Sequence, residues 1–143
     1  MQISDIMSPN VVSITPDESV SLAARLLCRN NIGSLPVCGE DGKLRGIVTD
    51  RDIVLRCIAA ENDPKNTPVK TIMSKNIITV NPGDDVRVAT KFMSGEQVRR
   101  LPVVTDGKVI GMVALGDMAK RHTYDMEAAK ALSDISSNIR SNT

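Results

Sequence analysis

The stretch GIVTDRD, residues 46–52, joins a short apolar strand pattern to a cluster of hydroxyl, carboxylate and guanidinium groups. If the strand ends at Thr49 and a helix begins at Asp50, backbone N–H groups point out of the helix N-terminus, where the dipole favours a phosphate. Thr49 adds a hydroxyl donor. Asp52 lies on the same side of the first turn, and an ionised carboxylate, which only accepts hydrogen bonds, suits a vicinal diol. The cluster therefore indicates a ribonucleotide site, with Asp52 on the ribose and Thr49 near the phosphate.

A structural interpretation of the same residues stays open. Asp50 as an N-cap and Asp52 as a first-turn carboxylate would each stabilise a helix by about 0.3–1 kcal/mol without any ligand. A second copy of the pattern favours binding, because residues 111–117 keep Gly111 and Asp117 while the residues between them differ.

The chain contains an internal duplication. Residues 6–37 align with residues 72–103 at ten identical positions, and residues 41–52 align with residues 106–117 at six more. The identities include the prolines and glycines that punctuate the chain, so they exceed what composition alone would give. Two copies are too few for a solenoid, and we expect a pair related by a pseudo-twofold axis. The duplication predicts repeat 1 at 1–60, a linker at 61–68, repeat 2 at 69–122, and a C-terminal helix with a frayed tail at 123–143.

Each repeat predicts the order β-α-β-β-α, which places the chain in the α/β (α+β) fold class. A short extended segment leads to a first helix, which we expect to begin at Thr15-Pro16 in repeat 1 and at Asn81-Pro82 in repeat 2. Glu18 would complete a capping box with Thr15. Apolar residues then recur at helical spacing, and the LPV motif opens a hairpin of two strands.

The remaining elements follow from local patterns. The second helix of each repeat is predicted to begin near Asp50 and near Gly116. Ile53, Val54 and Ile58 are predicted to face the core. The C-terminal tail contains a moderately helical stretch and then a Ser- and Asn-rich end, which we expect to be frayed.

Composition argues against several classes of partner. The formal net charge of +1, with 18 basic and 17 acidic residues, gives no electrostatic reason to expect nucleic acid or a charged membrane. One Phe, one Tyr and no Trp exclude base stacking on an aromatic platform as the main binding mode. No apolar run approaches the ~20 residues that span a bilayer, and the first residues lack a secretory signal pattern. We expect a soluble, cytoplasmic protein with no membrane partner, and the composition disfavours a nucleic-acid partner.

The cysteine and histidine usage argues against catalysis. Cys28, Cys38 and Cys57 lack C-x-x-C spacing, which indicates a reducing compartment and buried, inert thiols instead of a disulfide framework or a zinc site. His122 is the only histidine, so multi-histidine metal sites are excluded and only a Ser-His or Cys-His pair remains as a histidine-based nucleophile. No P-loop or G-x-G-x-x-G is present. An enzyme is therefore the weaker class, and no structural metal is expected.

The two copies resemble a tandem pair of cystathionine-beta-synthase (CBS) domains, the regulatory modules also found in the gamma subunit of AMP-activated protein kinase and in inosine-monophosphate dehydrogenase. The resemblance covers about residues 1–122 and rests on the IMS…N, TP/NP, LPV and G-I-V-T-x-x-D motifs. It implies paired repeats that enclose two clefts for adenosine-containing ligands, such as AMP, ADP, ATP or S-adenosylmethionine. With no attached enzyme domain, any effect on catalysis would act in trans.

The resemblance also implies roles for single residues. Asp52 would hold the ribose of one ligand with Thr49 near its phosphate, and Asp117 would hold the ribose of a second ligand. The residues just before the LPV strand commonly reach the ligand as well, and here they are Gly33, Ser34, Arg99 and Arg100.

The two sites are not expected to be equivalent. Ala114 stands where the family pattern has Ser or Thr, so the site of Asp117 lacks one phosphate donor. Arg99 and Arg100 add two guanidinium groups to the same repeat, and arginine matches phosphate well. The alternative for this pair is a solvated helix end that the C-terminal dipole favours.

Three functions remain compatible with the sequence. The first is a regulatory sensor, in which an adenosyl ligand favours one arrangement of the repeats and an unidentified regulated protein responds to it. The second is an interaction scaffold with vestigial clefts, and the third is a nucleic-acid binder. The apolar helices predict a homodimer in the form of a flat disc.

Overall fold

The structure is a computed structural model that describes the backbone of residues 1–119 and 125–141 and the side chains of residues 1–119 and 129–137. The expectation for His122 lies outside the described residues. Each repeat contributes a helix, two strands and a second helix in the predicted order. The elements are α1 (Val20–Asn30), β1 (Ser34–Cys38), β2 (Leu44–Thr49), α2 (Asp50–Asp52) with a π-helical continuation (Ile53–Ile58), α3 (Val86–Glu96), β3 (Arg100–Thr105), β4 (Lys108–Ala114), α4 (Leu115–Ala119) and α5 (Asp125–Ser141).

Two compact units make up the chain, and their boundaries do not follow the linear order of the repeats. The first residues of predicted repeat 1 belong with α3, and the end of the predicted linker, together with the first residues of predicted repeat 2, belongs with α1. We call these segments the N-terminal arm, residues 1–11, and the linker arm, residues 64–77. Unit 1 consists of Met1–Val11, Ile78–Thr105 and Ile110–Thr143, and unit 2 consists of Val12–Ile77 and Asp106–Val109.

The linker arm completes unit 2. Thr67 O accepts a hydrogen bond of 2.9 Å from Val20 N, the first N–H of α1. Val69 N donates to Glu18 O at 2.8 Å. Val69 and Ile72 are buried in the same core as Val20, so the arm supplies both hydrogen bonds and apolar surface to the unit.

The N-terminal arm has the same relation to unit 1. Met1 O accepts from Val86 N at 3.2 Å, and Ile3 N donates to Asp84 O at 2.9 Å. Ile3 and Ile6 are buried in the core that also contains Val86. The N-terminal arm thus completes the core around α3, and the linker arm completes the core around α1. In the sequence, each arm precedes the other of these two helices.

Both first helices begin later than predicted. α1 begins at Val20, where the Ser19 hydroxyl accepts from Leu22 N at 3.1 Å. α3 begins at Val86, with Asp85 as its N-cap. The predicted starts at Thr15-Pro16 and Asn81-Pro82 are wrong, because each segment forms a short turn that hydrogen-bonds to an arm. The carbonyl of Pro16 accepts from Lys70 N at 3.0 Å, and the carbonyl of Pro82 accepts from Ser4 N at 2.9 Å.

The LPV strands form the expected hairpins. β1 and β2 are antiparallel, with Ser34 opposite Thr49, and β3 pairs with β4. The extended segment before each first helix is reduced to a single parallel bridge, from Ile14 to Val37 in unit 2 and from Val80 to Val103 in unit 1. The prediction of a mixed fold of two β-α-β-β-α repeats is confirmed, with this short first strand.

A repeated glycine lets each arm approach its hairpin. A Cβ built on Gly46 would lie 2.6 Å from Met73 Sδ and 2.9 Å from the backbone oxygen of Ser74. The IMS motif is therefore a packing motif, since only a residue without a side chain leaves room for its methionine and backbone. In unit 1 the same two distances, 2.6 and 2.9 Å, separate the Cβ position of Gly111 from Met7 Sδ and Ser8 O.

The second helix of unit 2 differs from its predicted orientation. Ile53 is buried as predicted, but Val54 and Ile58 are exposed, and Cys57 takes the inward position instead. The segment is π-helical, with Ala59 N donating to Val54 O five residues earlier at 2.8 Å. The 3.6-residue period used for the prediction does not apply to such a turn.

The C-terminal helix is longer than predicted. α5 continues through the Ser- and Asn-rich stretch to Ser141, and it packs against α3 and α4. Ala131 and Ile135 are buried, and the Ser94 hydroxyl donates to Asp134 at 2.5 Å. The helix thus includes residues that were predicted to fray, and its apolar stripe has a core to pack against.

Candidate ligand-binding site

The strand β2 ends at Thr49 and α2 begins at Asp50, as the sequence predicts. Thr49 is the N-cap, not Asp50. The Thr49 hydroxyl accepts from Asp52 N at 3.0 Å, and Asp52 Oδ2 accepts from Thr49 N at 3.0 Å. The two side chains form a reciprocal capping box, so the structural interpretation accounts for part of the GIVTDRD cluster.

The backbone N–H groups at this turn already have protein acceptors. Asp50 N donates to Gly33 O at 3.0 Å, Arg51 N donates to Asp50 Oδ1 at 2.7 Å, and Asp52 N donates to Thr49 as described. The prediction of free N–H groups as a phosphate cradle is therefore wrong for unit 2. Any phosphate there would have to be held by side chains.

Some hydrogen-bonding capacity remains on the two predicted residues. The Thr49 hydroxyl accepts in the capping box and keeps its own O–H available to donate. Asp52 uses Oδ2 in the box, while Oδ1 lies 3.9 Å from Arg56 Nε and the side chain is 15% exposed. One carboxylate oxygen of Asp52 can still accept from a hydroxyl.

Ser34 and Gly33 lie next to this turn, as expected. Ser34 is the register partner of Thr49, and Gly33 bonds to the first residue of α2. The Cβ position of residue 33 lies 3.5 Å from Asp50 Oδ2. Asp50 was not predicted as a site residue. Its proximity to Gly33 depends on the pairing of β1 with β2.

Unit 1 repeats the backbone arrangement with different side chains. Leu115 N donates to Arg99 O at 2.8 Å, which is the counterpart of the bond from Asp50 to Gly33. Ala114 has no hydroxyl, so the capping box of unit 2 has no counterpart at Asp117. Within the described part of the chain, the half-buried Asp117 carboxylate has no side-chain hydrogen bond or ion pair.

Arg99 and Arg100 lie outside the preceding helix. α3 ends at Glu96 with Gln97 in the left-handed conformation, and Arg100 opens β3. Both arginines are exposed and form no ion pair with any residue that the structure describes. They are therefore placed beside α4 and not on the end of α3, where the alternative interpretation put them.

One cavity of unit 1 lies away from these residues. A cavity of about 410 Å³ opens between α3 and α5, and none of the sequence-predicted site residues lines it. Its walls come from Arg87, Thr90, Lys91, Ser94, Gly95, Lys130 and Ala131.

The thiols offer no reactive group in the cores. Cys38 and Cys57 are buried, and burial raises the pKa of the Cys38 thiol above its ordinary value, which disfavours the nucleophilic thiolate. Cys28 is exposed, so the prediction of a buried thiol is wrong there. All three are free.

Metal-binding clusters and membrane-spanning helices are both absent from the described residues. No cluster of three or more His, Cys, Asp and Glu side chains in this part of the chain is arranged to hold a metal ion. No helix there has the length and apolar character needed to cross a membrane.

The family model of the CBS domain matches the chain twice, at residues 3–58 and 69–123. The chain belongs to the CBS domain family. The CBS domain-containing protein YhcV of Bacillus subtilis is 38% identical over 134 residues, which cover 94% of each chain. The resemblance drawn from the repeated motifs is therefore confirmed.

Solved CBS domain structures share the fold of this CBS domain pair. The CBS domain pair of protein MJ0100, in complex with 5′-methylthioadenosine and S-adenosyl-L-methionine, matches with a TM-score of 0.75 and 30% identity, covering 84% of this chain and 98% of that one. The CBS domain protein PAE2072 from Pyrobaculum aerophilum, complexed with AMP, matches with a TM-score of 0.79 and 25% identity, covering 90% and 98%. CBS pairs of this fold thus include proteins that bind adenosine compounds.

Proposed function

We propose that this CBS domain pair is a regulatory module that binds an adenosine-containing ligand and transmits its occupancy to a partner protein in trans, without chemistry of its own. The observation that carries the proposal is the repeated junction of hairpin and helix. In each unit the first N–H of the second helix bonds to the residue before the LPV strand. This bond fixes the residue before the LPV strand to the start of the second helix, whose first turn carries Asp52 in unit 2 and Asp117 in unit 1.

The ligands of the two structural neighbours support this choice. AMP, 5′-methylthioadenosine and S-adenosylmethionine share a ribose diol. Among the described residues, no hydrogen bond occupies one oxygen of Asp52 or the carboxylate of Asp117, so both can accept from such a diol. AMP, ADP, ATP and S-adenosylmethionine are all candidates.

The test is a thermal-shift panel of adenine and guanine nucleotides, adenosine and S-adenosylmethionine on the wild type, Asp52→Ala and Asp117→Ala. A ligand at 100 times its dissociation constant adds about 2.7 kcal/mol, a shift of several degrees for a chain of this size. We expect a shift with at least one adenosyl compound that at least one variant loses. No shift with any compound would favour the interaction scaffold. Oligonucleotides added to the panel test the third function, and a shift with them alone would favour the nucleic-acid binder.

We also propose that the module is a cytoplasmic homodimer that associates through the π-helical segment of unit 2. Val54, Leu55 and Ile58 are exposed there, with Leu55 at 49%. In unit 1, α5 packs against α3 and α4, whereas unit 2 has no counterpart of α5 among the described elements. A second copy would remove this apolar surface from water.

Light scattering after size-exclusion chromatography tests the dimer. The wild type should have twice the chain mass of 15.4 kDa, and Leu55→Lys should shift it towards the monomer. Leu132→Lys is the matched control, because Leu132 is also half-exposed but lies on α5. A monomeric wild type would contradict the proposal.

A further inference from the structure

The equivalent positions around the two junctions differ in charge. Where unit 2 has Gly33 and Ser34, unit 1 has Arg99 and Arg100. Where unit 2 has the four residues TDRD at 49–52, unit 1 has ALGD at 114–117. These positions carry one net negative charge in unit 2 and one net positive charge in unit 1.

In unit 1 both cations are available to a ligand. The backbone of Arg99 is fixed to the start of α4 by its bond from Leu115 N. Leu115 is the equivalent of Asp50 in unit 2, and its side chain is buried in the core. Unit 1 therefore has no carboxylate at this position. Arg99 and Arg100 are exposed and without an ion-pair partner among the described residues. A guanidinium donates two parallel N–H bonds to phosphate, which suits an anionic ligand.

In unit 2 the same place is acidic. The Asp50 carboxylate lies 3.5 Å from the point where a side chain on residue 33 would begin. Asp52 stands two residues later, and Arg56, whose Nε lies 3.9 Å from Asp52 Oδ1, belongs to the π-helical segment. Arg51 adds an exposed cation, but it is flanked by both carboxylates in the sequence. A phosphate placed beside Ser34 would meet the charge of Asp50.

We propose that the two units select adenosyl ligands by charge: unit 1 takes a phosphate-bearing ligand held by Arg99 and Arg100, and unit 2 takes an uncharged or cationic one. The inference rests on the proposed function and adds the ligand class of each site. A nucleoside mono- or polyphosphate fits unit 1. A neutral thioether nucleoside or a sulfonium compound fits unit 2.

Calorimetric titration with adenosine, AMP, ATP and 5′-methylthioadenosine tests the proposal. The key variant is Arg99→Gln/Arg100→Gln, which removes both charges and keeps side chains of similar length at exposed positions. Arg25→Gln/Arg29→Gln is the matched control, because it changes the net charge equally at two exposed residues of α1. A reciprocal variant, Ser34→Arg, adds a guanidinium to unit 2.

The proposal predicts that the Arg99/Arg100 variant loses AMP and ATP affinity by about 10- to 100-fold, since each charge-assisted bond is worth a kilocalorie or more. Its affinity for 5′-methylthioadenosine should stay within about 2-fold of the wild type. The control pair should bind every compound as the wild type does, and Ser34→Arg should weaken 5′-methylthioadenosine relative to AMP.

Two results would overturn the inference, and they are distinguishable. If AMP and ATP bind the Arg99/Arg100 variant as tightly as the wild type, the charge selection is wrong while the nucleotide-binding function stands. If no adenosine compound binds the wild type, the proposed function fails and the inference fails with it.

Discussion

At the scale of single residues, Gly46 carries the contact between the linker arm and its hairpin. Gly46→Ala should destabilise the protein by about 1–3 kcal/mol, because the added Cβ would lie 2.9 Å from a backbone oxygen that cannot move alone. Urea unfolding measures the change. Gly95→Ala is the control: nothing lies within 4 Å of its Cβ position, and a helical alanine should stabilise by about 0.5–1 kcal/mol. Equal effects of the two changes would contradict the packing role of the IMS motif.

The two aspartates of the proposed sites should differ in their effect on stability. Asp52→Ala removes the acceptor for Thr49 N and should cost about 0.5–2 kcal/mol. Asp117→Ala should stay within about 0.5 kcal/mol, since Asp117 has no bond to another described side chain. Denaturant unfolding without ligand checks both. A larger cost at Asp117 would show a structural role that the fold does not indicate. Ligand-induced shifts must be compared with each variant's own baseline.

The sequence located these residues but could not assign their hydrogen bonds. The duplication identified Asp52 and Asp117 as equivalent, and the structure confirms that each stands in the first turn of a second helix. Whether Thr49 or Asp50 caps that turn depends on where Gly33 O lies. The pairing of β1 with β2 sets that position, and local patterns do not encode it.

At the scale of elements, α5 is required to complete the core of unit 1. Ile135→Ala should destabilise the protein by about 2–5 kcal/mol, because Ile135 is 3% exposed and its removal leaves a cavity. Thermal and urea unfolding give the value. Leu132→Ala is the matched control on the same helix, with its side chain 44% exposed, and should change stability by less than about 0.5 kcal/mol. A cost near zero at Ile135 would mean that α5 does not pack in solution.

Element order was predictable, whereas helix boundaries were not. The LPV hairpins followed from an apolar run and a turn, which are local signals. The starts of α1 and α3 were predicted too early, because a Thr-Pro-Asp-Glu pattern also fits an isolated turn whose proline carbonyl accepts a hydrogen bond from a distant arm. The end of α5 was predicted too early for a similar reason, since a polar composition does not show that one face meets a core.

At the scale of the whole molecule, the assignment of the N-terminal arm to unit 1 can be tested by a deletion. If each repeat folded on its own consecutive residues, the same deletion would affect unit 2 instead. Deleting residues 1–8 should lower amide protection in α3 and β3, because Ile3, Ile6 and the carbonyl of Met1 serve unit 1. α1 and the hairpin of unit 2 should keep their protection. Hydrogen exchange followed by mass spectrometry resolves the two regions. Loss confined to residues 12–60 would contradict the assignment of the N-terminal arm to unit 1.

The duplication alone could not reveal this exchange. Sequence identity shows which residues are equivalent, but it does not show whether Met7 packs on Gly46 or on Gly111. In either arrangement, a methionine would pack against a glycine. The structure assigns Met7 to Gly111 and Met73 to Gly46.

The most direct test of the proposed ligand binding is equilibrium dialysis of the wild-type protein against labelled AMP, ATP, 5′-methylthioadenosine and S-adenosylmethionine, with Asp117→Ala and Asp52→Ala alongside. We expect saturable binding of at least one compound below about 1 mM, weakened at least about 10-fold by one of the two substitutions. Absence of saturable binding for all four compounds, or binding that neither substitution changes, would contradict it.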